Sequence, residues 1–175
     1  MVNKLEPEFS FIVHPSELVD VEKKFELTAE SDERAALSKR FGLKAIDAFN
    51  LIVKIKPLRE KNAIRLRGQL YASVIQSCVV SAVPIKNTIE EEFEVIFHEE
   101  FQIDKSKNED IDELEPYFDD TIDIGEFASG ELALAINPYP RVPGISVDVV
   151  EPYLRKQDDL ETKPFGGLAA LKRNK

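Results

Sequence analysis

The sequence predicts an α+β fold: an antiparallel sheet or meander, one main helix and a short second helix against it, an acidic loop and an extended C-terminal tail. Three observations point there. Residues 69–84 form a long run, poor in charge and rich in β-branched side chains, as a central strand would be. On either side of it, apolar and charged residues alternate at period two, in 51–56, 63–67 and 93–97. Ahead of these strands, residues 31–40 combine an acidic first turn with good helix formers.

Taken in order, residues 9–13 are a short apolar run that predicts a first strand, and Pro15 stops it. Phe25 and Leu27 alternate with charge and predict an edge strand over 22–27. Ser31 is the expected N-cap of the main helix, and Gly42 its C-terminal stop. Residues 44–50 predict a further turn. The alternation of 51–56 and 63–67, separated by Pro57 and polar residues, predicts a hairpin. Gly68 then permits a bulge or bend into the central strand, which Pro84 ends. Phe93, Val95 and Phe97 mark the next strand. Residues 104–120 are acidic and aperiodic, which predicts a solvated, flexible loop. A short amphipathic helix over 128–136, capped near Asp123, ends before Pro138. Residues 137–144 hold three prolines and a glycine and predict an irregular turn. Beyond a polar stretch, Phe165, Leu168 and Leu171 form an apolar knob in the tail at 155–175.

Bulk properties set outer limits. A chain of 175 residues predicts a single domain with appendages over 1–175. No apolar run reaches the roughly 18–20 residues of a membrane span, and the first residues carry no apolar leader. One cysteine excludes an internal disulfide and fits a reducing compartment, so a cytoplasmic protein with no membrane partner is expected. The net charge of −10 argues against bulk attraction to nucleic acid, and no DNA partner is expected. The charge is uneven, however. Residues 54–67 carry six basic side chains (Lys54, Lys56, Arg59, Lys61, Arg65, Arg67) and one acid, Glu60. Residues 90–131 carry seventeen acids against Lys105 and Lys107. Residues 163–175 carry Lys163, Lys172, Arg173 and Lys175 and no acid.

Catalytic chemistry is hard to assemble from these residues. Cys78 needs a base to act as a nucleophile, and only His14 and His98 are available; a buried cysteine acting as a small hydrophobe is the plainer reading. One cysteine and two histidines do not make a structural zinc site. Asp119, Asp120 and Asp123 are the densest carboxylates, yet no glycine-centred calcium loop or phosphate loop surrounds them. The basic stretch is the most informative feature outside the core. Arg65 and Arg67 share one strand face, either to contact phosphates or to pair with the acidic strand 90–94.

Three stretches stand out in order: Gly68 through Cys78 to Pro84; Asp123, Gly125 and Glu126 with Glu131 and Leu134; and Pro164, Phe165 and Leu168. Together they resemble the YceD family of large ribosomal RNA subunit accumulation proteins. The resemblance is to a cysteine-poor, proteobacterial-type branch, since Val80 and Ser81 stand where other members continue a C-x-R-C motif. It implies a role in accumulation or processing of the large-subunit (23S) ribosomal RNA, structural roles for the motif residues, no catalytic site and no cofactor or metal. The partner expected is that RNA, met by Lys54, Lys56, Arg59, Lys61, Arg65, Arg67, Lys172 and Arg173, or a basic ribosomal protein met by the acidic half. The acidic route suits the −10 charge better. Two alternatives stand beside it: a protein-interaction module unrelated to RNA, with the knob as docking peptide, and a metal-dependent enzyme using Asp119, Asp120, Asp123 and a histidine.

Overall fold

Alternation along three long strands decides the architecture. In a computed structural model, which describes residues 6–18, 21–58, 63–99 and 114–144, the elements run β1 (Ile12–Val13), β2 (Lys23–Thr28), α1 (Ser31–Arg40), β3 (Ala45–Leu58), β4 (Ala63–Ser77), β5 (Pro84–Glu99), β6 (Leu114–Tyr117), β7 (Ile122–Asp123) and α2 (Ile124–Ala135). Five strands form one sheet in the order β2-β3-β4-β5-β6, and β1 pairs with β7 apart from it. The meander is antiparallel from β2 to β5, as expected; β6 adds to β5 in parallel. Of the stretch 104–120 read as an acidic loop, residues 114–117 are this strand, and 104–113 lie outside the described residues.

One sheet face is buried. Leu51, Val53 and Ile55 of β3, Leu66, Leu70 and Val74 of β4, and Val95 and Phe97 of β5 form a single core with Leu37 of α1 and Ile124, Ala128 and Leu132 of α2. Removing each of the larger of these side chains from water contributes about 1.5–3 kcal/mol. Phe9 closes the core against Phe49, ring centroids 5.4 Å apart, and Phe11 lies 5.2 Å from Phe25. The opposite face carries Ile52, Lys54 and Lys56, then Arg65, Arg67 and Tyr71, then Glu90, Glu92 and Glu94; no described helix covers it.

Several local expectations change. Of the predicted strand over 9–13, only Ile12–Val13 pairs, because the backbone of Phe9 to Phe11 turns toward α2 instead. α1 begins one residue earlier than a Ser31 cap implies: Glu30 is the N-cap, in a capping box with Glu33, whose carboxylate accepts the Glu30 N–H at 2.6 Å. Its end follows the prediction. Gly42 takes φ +66°, and the N–H groups of Leu43 and Gly42 donate to the carbonyls of Ser38 and Lys39. Residues 45–50 are strand, not turn. A bulge between Ile46 and Ala48 shifts the alternation, so Ile46 and Phe49 are both buried. The central strand ends at Ser77. Residues 78–83 are a turn, closed by Cys78 N–H donating to Val83 O (2.8 Å) and Ala82 N–H to Cys78 O (2.9 Å), and Pro84 opens β5.

Candidate interaction surface

The uncovered face is built from cross-strand pairs. Lys54 lies opposite Arg67, and Arg67 opposite Glu94; one step along, Lys56 lies opposite Arg65. Glu94 takes both arginines: its Oε2 sits 2.9 Å from Arg67 Nε, and its Oε1 sits 3.1 Å from Arg65 Nε. Gln69 Nε2 donates to Glu92 Oε1 at 2.7 Å, and Lys86 Nζ reaches Asp47 at 2.6 Å. Of the two readings for Arg65 and Arg67, the geometry shows pairing with the acidic strand. The Glu94 carboxylate, by hydrogen bond and by charge, raises the Arg67 guanidinium pKa. Such exposed pairs hold weakly, so they offset part of the positive charge of the face without locking it. Lys54 and Lys56 form no ion pair among the described residues. A shallow groove of about 430 Å³ runs between Ile52, Lys54, Arg67, Gln69, Glu92 and Glu94. Arg59, Lys61, Lys172 and Arg173 lie outside the described residues, as do Pro164, Phe165 and Leu168.

The remaining motif residues form a clamp rather than a reaction centre. Asp123 caps α2 by accepting the Glu126 N–H at 3.1 Å. The same carboxylate accepts the Phe11 N–H at 3.0 Å and the Ser10 hydroxyl at 2.6 Å, tying residues 10–11 to the helix start. Gly125 lets that segment approach: a Cβ there would lie 2.8 Å from Phe9 O and Phe11 N. Glu126 then receives both Arg40 Nη1 and Nη2, at 2.8 and 2.7 Å, while Arg40 Nη1 also reaches Glu8 at 2.8 Å. The guanidinium pKa is raised by the Glu126 hydrogen bond first and the Glu8 bond second. Sequence reasoning missed Arg40 and Glu8. A basic last turn in α1 was the available signal, but its partner lies 86 residues away.

Gly68 makes no bulge. It pairs in register with Val53 and Phe93, and the Phe93 ring lies across it, so that a Cβ would sit 2.1 Å from Phe93 Cζ. Its role is to leave room for an aromatic ring that also meets Phe127, centroids 5.7 Å apart. Cys78 is buried, as the plainer reading holds, but at the head of a turn rather than within a strand. Its Sγ accepts the Ser81 N–H at 3.4 Å, and the polar surroundings, the Ser81 side chain first and the Val142 backbone next, pull the thiol down to about 6. Glu131 is half-buried. Burial, then the nearby charges of Glu115 and Glu91, push its carboxyl above the usual range. Leu134, expected among the structural positions, is 83% exposed, because helical spacing sets it opposite the buried Ala128 and Leu132 stripe.

The candidate metal carboxylates have other work. Asp119 and Asp120 take φ +52° and +53° in a two-residue turn between Phe118 and Thr121, the conformation such hairpin turns require. Asp120 accepts the Ser16 N–H at 2.9 Å and the Ser16 hydroxyl, and its carbonyl meets His14 Nδ1 at 2.9 Å. Asp123 is the helix cap. Among the described residues, no group of three or more His, Cys, Asp and Glu side chains is placed to hold a metal ion. No described helix is long and apolar enough to cross a membrane.

A family model described as Large ribosomal RNA subunit accumulation protein YceD matches residues 66–172, more than half of the chain. The match begins two residues before Gly68 and covers β5, α2 with its Asp123 cap, and the tail motif. No curated protein and no solved structure matches.

Proposed function

This chain belongs to the YceD family, and we propose that it supports accumulation of the large-subunit (23S) ribosomal RNA in the cytoplasm by binding, without catalysis, through contact of its acidic half with a basic ribosomal protein. The observation that carries the choice of partner is Glu94. It pairs with both Arg65 and Arg67, offsetting one of their two charges, and Glu90 and Glu92 lie beside them on the same face. A phosphate backbone approaching this face meets acid as well as base, whereas a cationic protein finds the carboxylates in front of it. The motif residues Asp123, Gly125 and Glu126 are engaged in holding the fold.

A second reading rests on Lys54 and Lys56, which are exposed and free of ion pairs among the described residues and so are the cations best able to meet RNA. One experiment separates the two. Cells lacking the chain are complemented with wild type, with Glu90→Lys/Glu92→Lys, or with Lys54→Glu/Lys56→Glu, and mature large-subunit RNA is quantified. The protein route expects the acidic variant to fail and the lysine variant to restore the RNA. The opposite pattern moves the contact to RNA. Restoration by both variants would overturn the use of this face.

A further inference from the structure

The solvent side of α2 is unlike that of an ordinary surface helix. A helix lying on a sheet normally turns charged side chains outward. Here, Ile124, Ala128 and Leu132 face the core, and Gly130, Ala133 and Leu134 face out. A Cβ added at Gly130 would meet nothing within 4 Å, so the outer surface there is open. Leu134, at 83% exposure, is the most exposed large apolar side chain among the described residues. The helix has no basic residue. Its two charges are Glu126, which is spent on Arg40, and Glu131.

Glu131 and Leu134 are not isolated. With Ala135 they line a recess of about 210 Å³ whose other wall is Glu91 and Glu92 of β5. Glu115 of β6 adds a further negative charge near Glu131. Glu91, Glu115 and Glu131 make no ion pair among the described residues. The result is an exposed apolar side chain beside carboxylates that no described cation balances.

We propose that this recess between α2 and β5 docks a lysine- or arginine-rich segment of a basic ribosomal protein, with an apolar side chain of that segment seated on Leu134 and its cations on Glu91, Glu92 and Glu131. The proposal rests on the protein-binding reading above and narrows it to a surface. Charge complementarity selects the occupant. Three carboxylates that no described cation balances (Glu92 holds only the neutral Gln69 amide) favour a cation, and the exposed Leu134 beside Ala135 favours an apolar anchor over a phosphate backbone. A cationic segment also removes the repulsion among Glu91, Glu115 and Glu131, which a neutral partner would leave in place.

The test uses the full chain with Leu134→p-benzoylphenylalanine, irradiated with individually purified basic proteins of the large subunit, and the crosslinked residues mapped. Binding of the same proteins is measured for wild type, Leu134→Asp and Glu131→Lys, with thermal melts to show that both variants remain folded. The expected result is a crosslink to a lysine- or arginine-rich segment, and a loss of about tenfold or more in affinity for each variant, as central contacts of small interfaces give. A crosslink to residues 163–173 of the same chain, to a second copy or to ribosomal RNA overturns the proposal. If wild type binds a ribosomal protein and both variants bind it equally well, the recess falls while the protein-binding reading stands. If wild type binds none of them, that reading falls as well.

Discussion

At Gly68 and Gly125 the missing side chain has different neighbours, and that difference sets the cost of adding one. At Gly68 a methyl would meet the end of the Phe93 ring at 2.1 Å. A ring can swing aside, at the expense of its contact with Phe127. Gly68→Ala is therefore expected to destabilise by about 1–3 kcal/mol, the usual range for overpacking, and Gly68→Ala/Phe93→Leu to recover part of that loss. At Gly125 the neighbours are the backbone of Phe9, Ser10 and Phe11 at 2.8–2.9 Å, which cannot swing. Alanine in a helix otherwise gains about 1 kcal/mol over glycine. Gly125→Ala should nevertheless be the more damaging of the two, and urea denaturation of both variants decides the order; an equal or smaller loss at Gly125 contradicts it. Asp120 gives a pH signature. The Ser16 hydroxyl first, then the Ser16 N–H, hold its carboxyl below the ordinary range, with His14 adding to the effect. A depressed carboxyl contributes stability that is present above its unfolded value, about 3.9, and lost as pH falls through its lower folded value. The melting temperature of wild type should thus fall more steeply than that of Asp120→Asn as the pH is taken from 5 to below 3. Parallel curves would remove Ser16–Asp120 as a source of acid sensitivity.

Helix ends hold the elements together. Arg40 closes α1 and Glu126 opens α2, so each charge sits at the terminus its helix dipole favours while the two bridge the helices. Glu8 joins the same guanidinium from the N-terminal segment. All three side chains are about a third exposed, so the network is worth little more than a surface pair: Arg40→Ala should cost about 1 kcal/mol, less at high salt. Asp123 does more. Its loss removes a helix cap, itself about 0.5–2 kcal/mol, and two bonds to residues 10–11, so Asp123→Ala should exceed Arg40→Ala. Hydrogen exchange should rise at Phe11 and Ile12 in the Asp123 variant and stay at wild-type values along β4; no change at Phe11 would contradict the tie. How far the sequence reveals these elements follows from range. The β3–β4 hairpin, β5, α2 and its Asp123 cap are legible, because period-two alternation and a capping residue are local signals. The start of β3 is hidden because the bulge after Ile46 breaks the period. The end of β4 is hidden because Val79, Val80 and Val83, β-branched residues in a turn, prolong the look of a strand. The clamp between Arg40, Glu126 and Glu8, and the pairing of Glu94 with two arginines, depend on side chains far apart in sequence, and no spacing rule reports them.

For the whole molecule, the decisive quantity is where charge is left unbalanced. The basic hairpin and the acidic strand after it appear as separate blocks in the sequence, but antiparallel pairing of β4 with β5 lays one on the other. Glu94 is the point of balance, since it alone holds both Arg65 and Arg67. Removing its charge should therefore shift the preference of the surface rather than weaken all association. In Glu94→Gln, Lys54, Lys56, Arg65 and Arg67 stand together without the carboxylate that holds both arginines. Retention of this variant on single-stranded RNA is expected to increase at low salt and to vanish as salt is raised, because the contacts are to phosphate and are screened within roughly 10 Å at 0.1 M ionic strength. Binding to a basic ribosomal protein should weaken in the same variant, by a slower association rate, since steering depends on the carboxylates that remain. The two measurements must move in opposite directions. Wild type that already holds RNA as firmly as Glu94→Gln would mean that the exposed lysines govern the face and that Glu94 does not neutralise it; a variant that gains RNA and loses the protein would establish that this pairing is what directs an acidic chain toward a cationic partner.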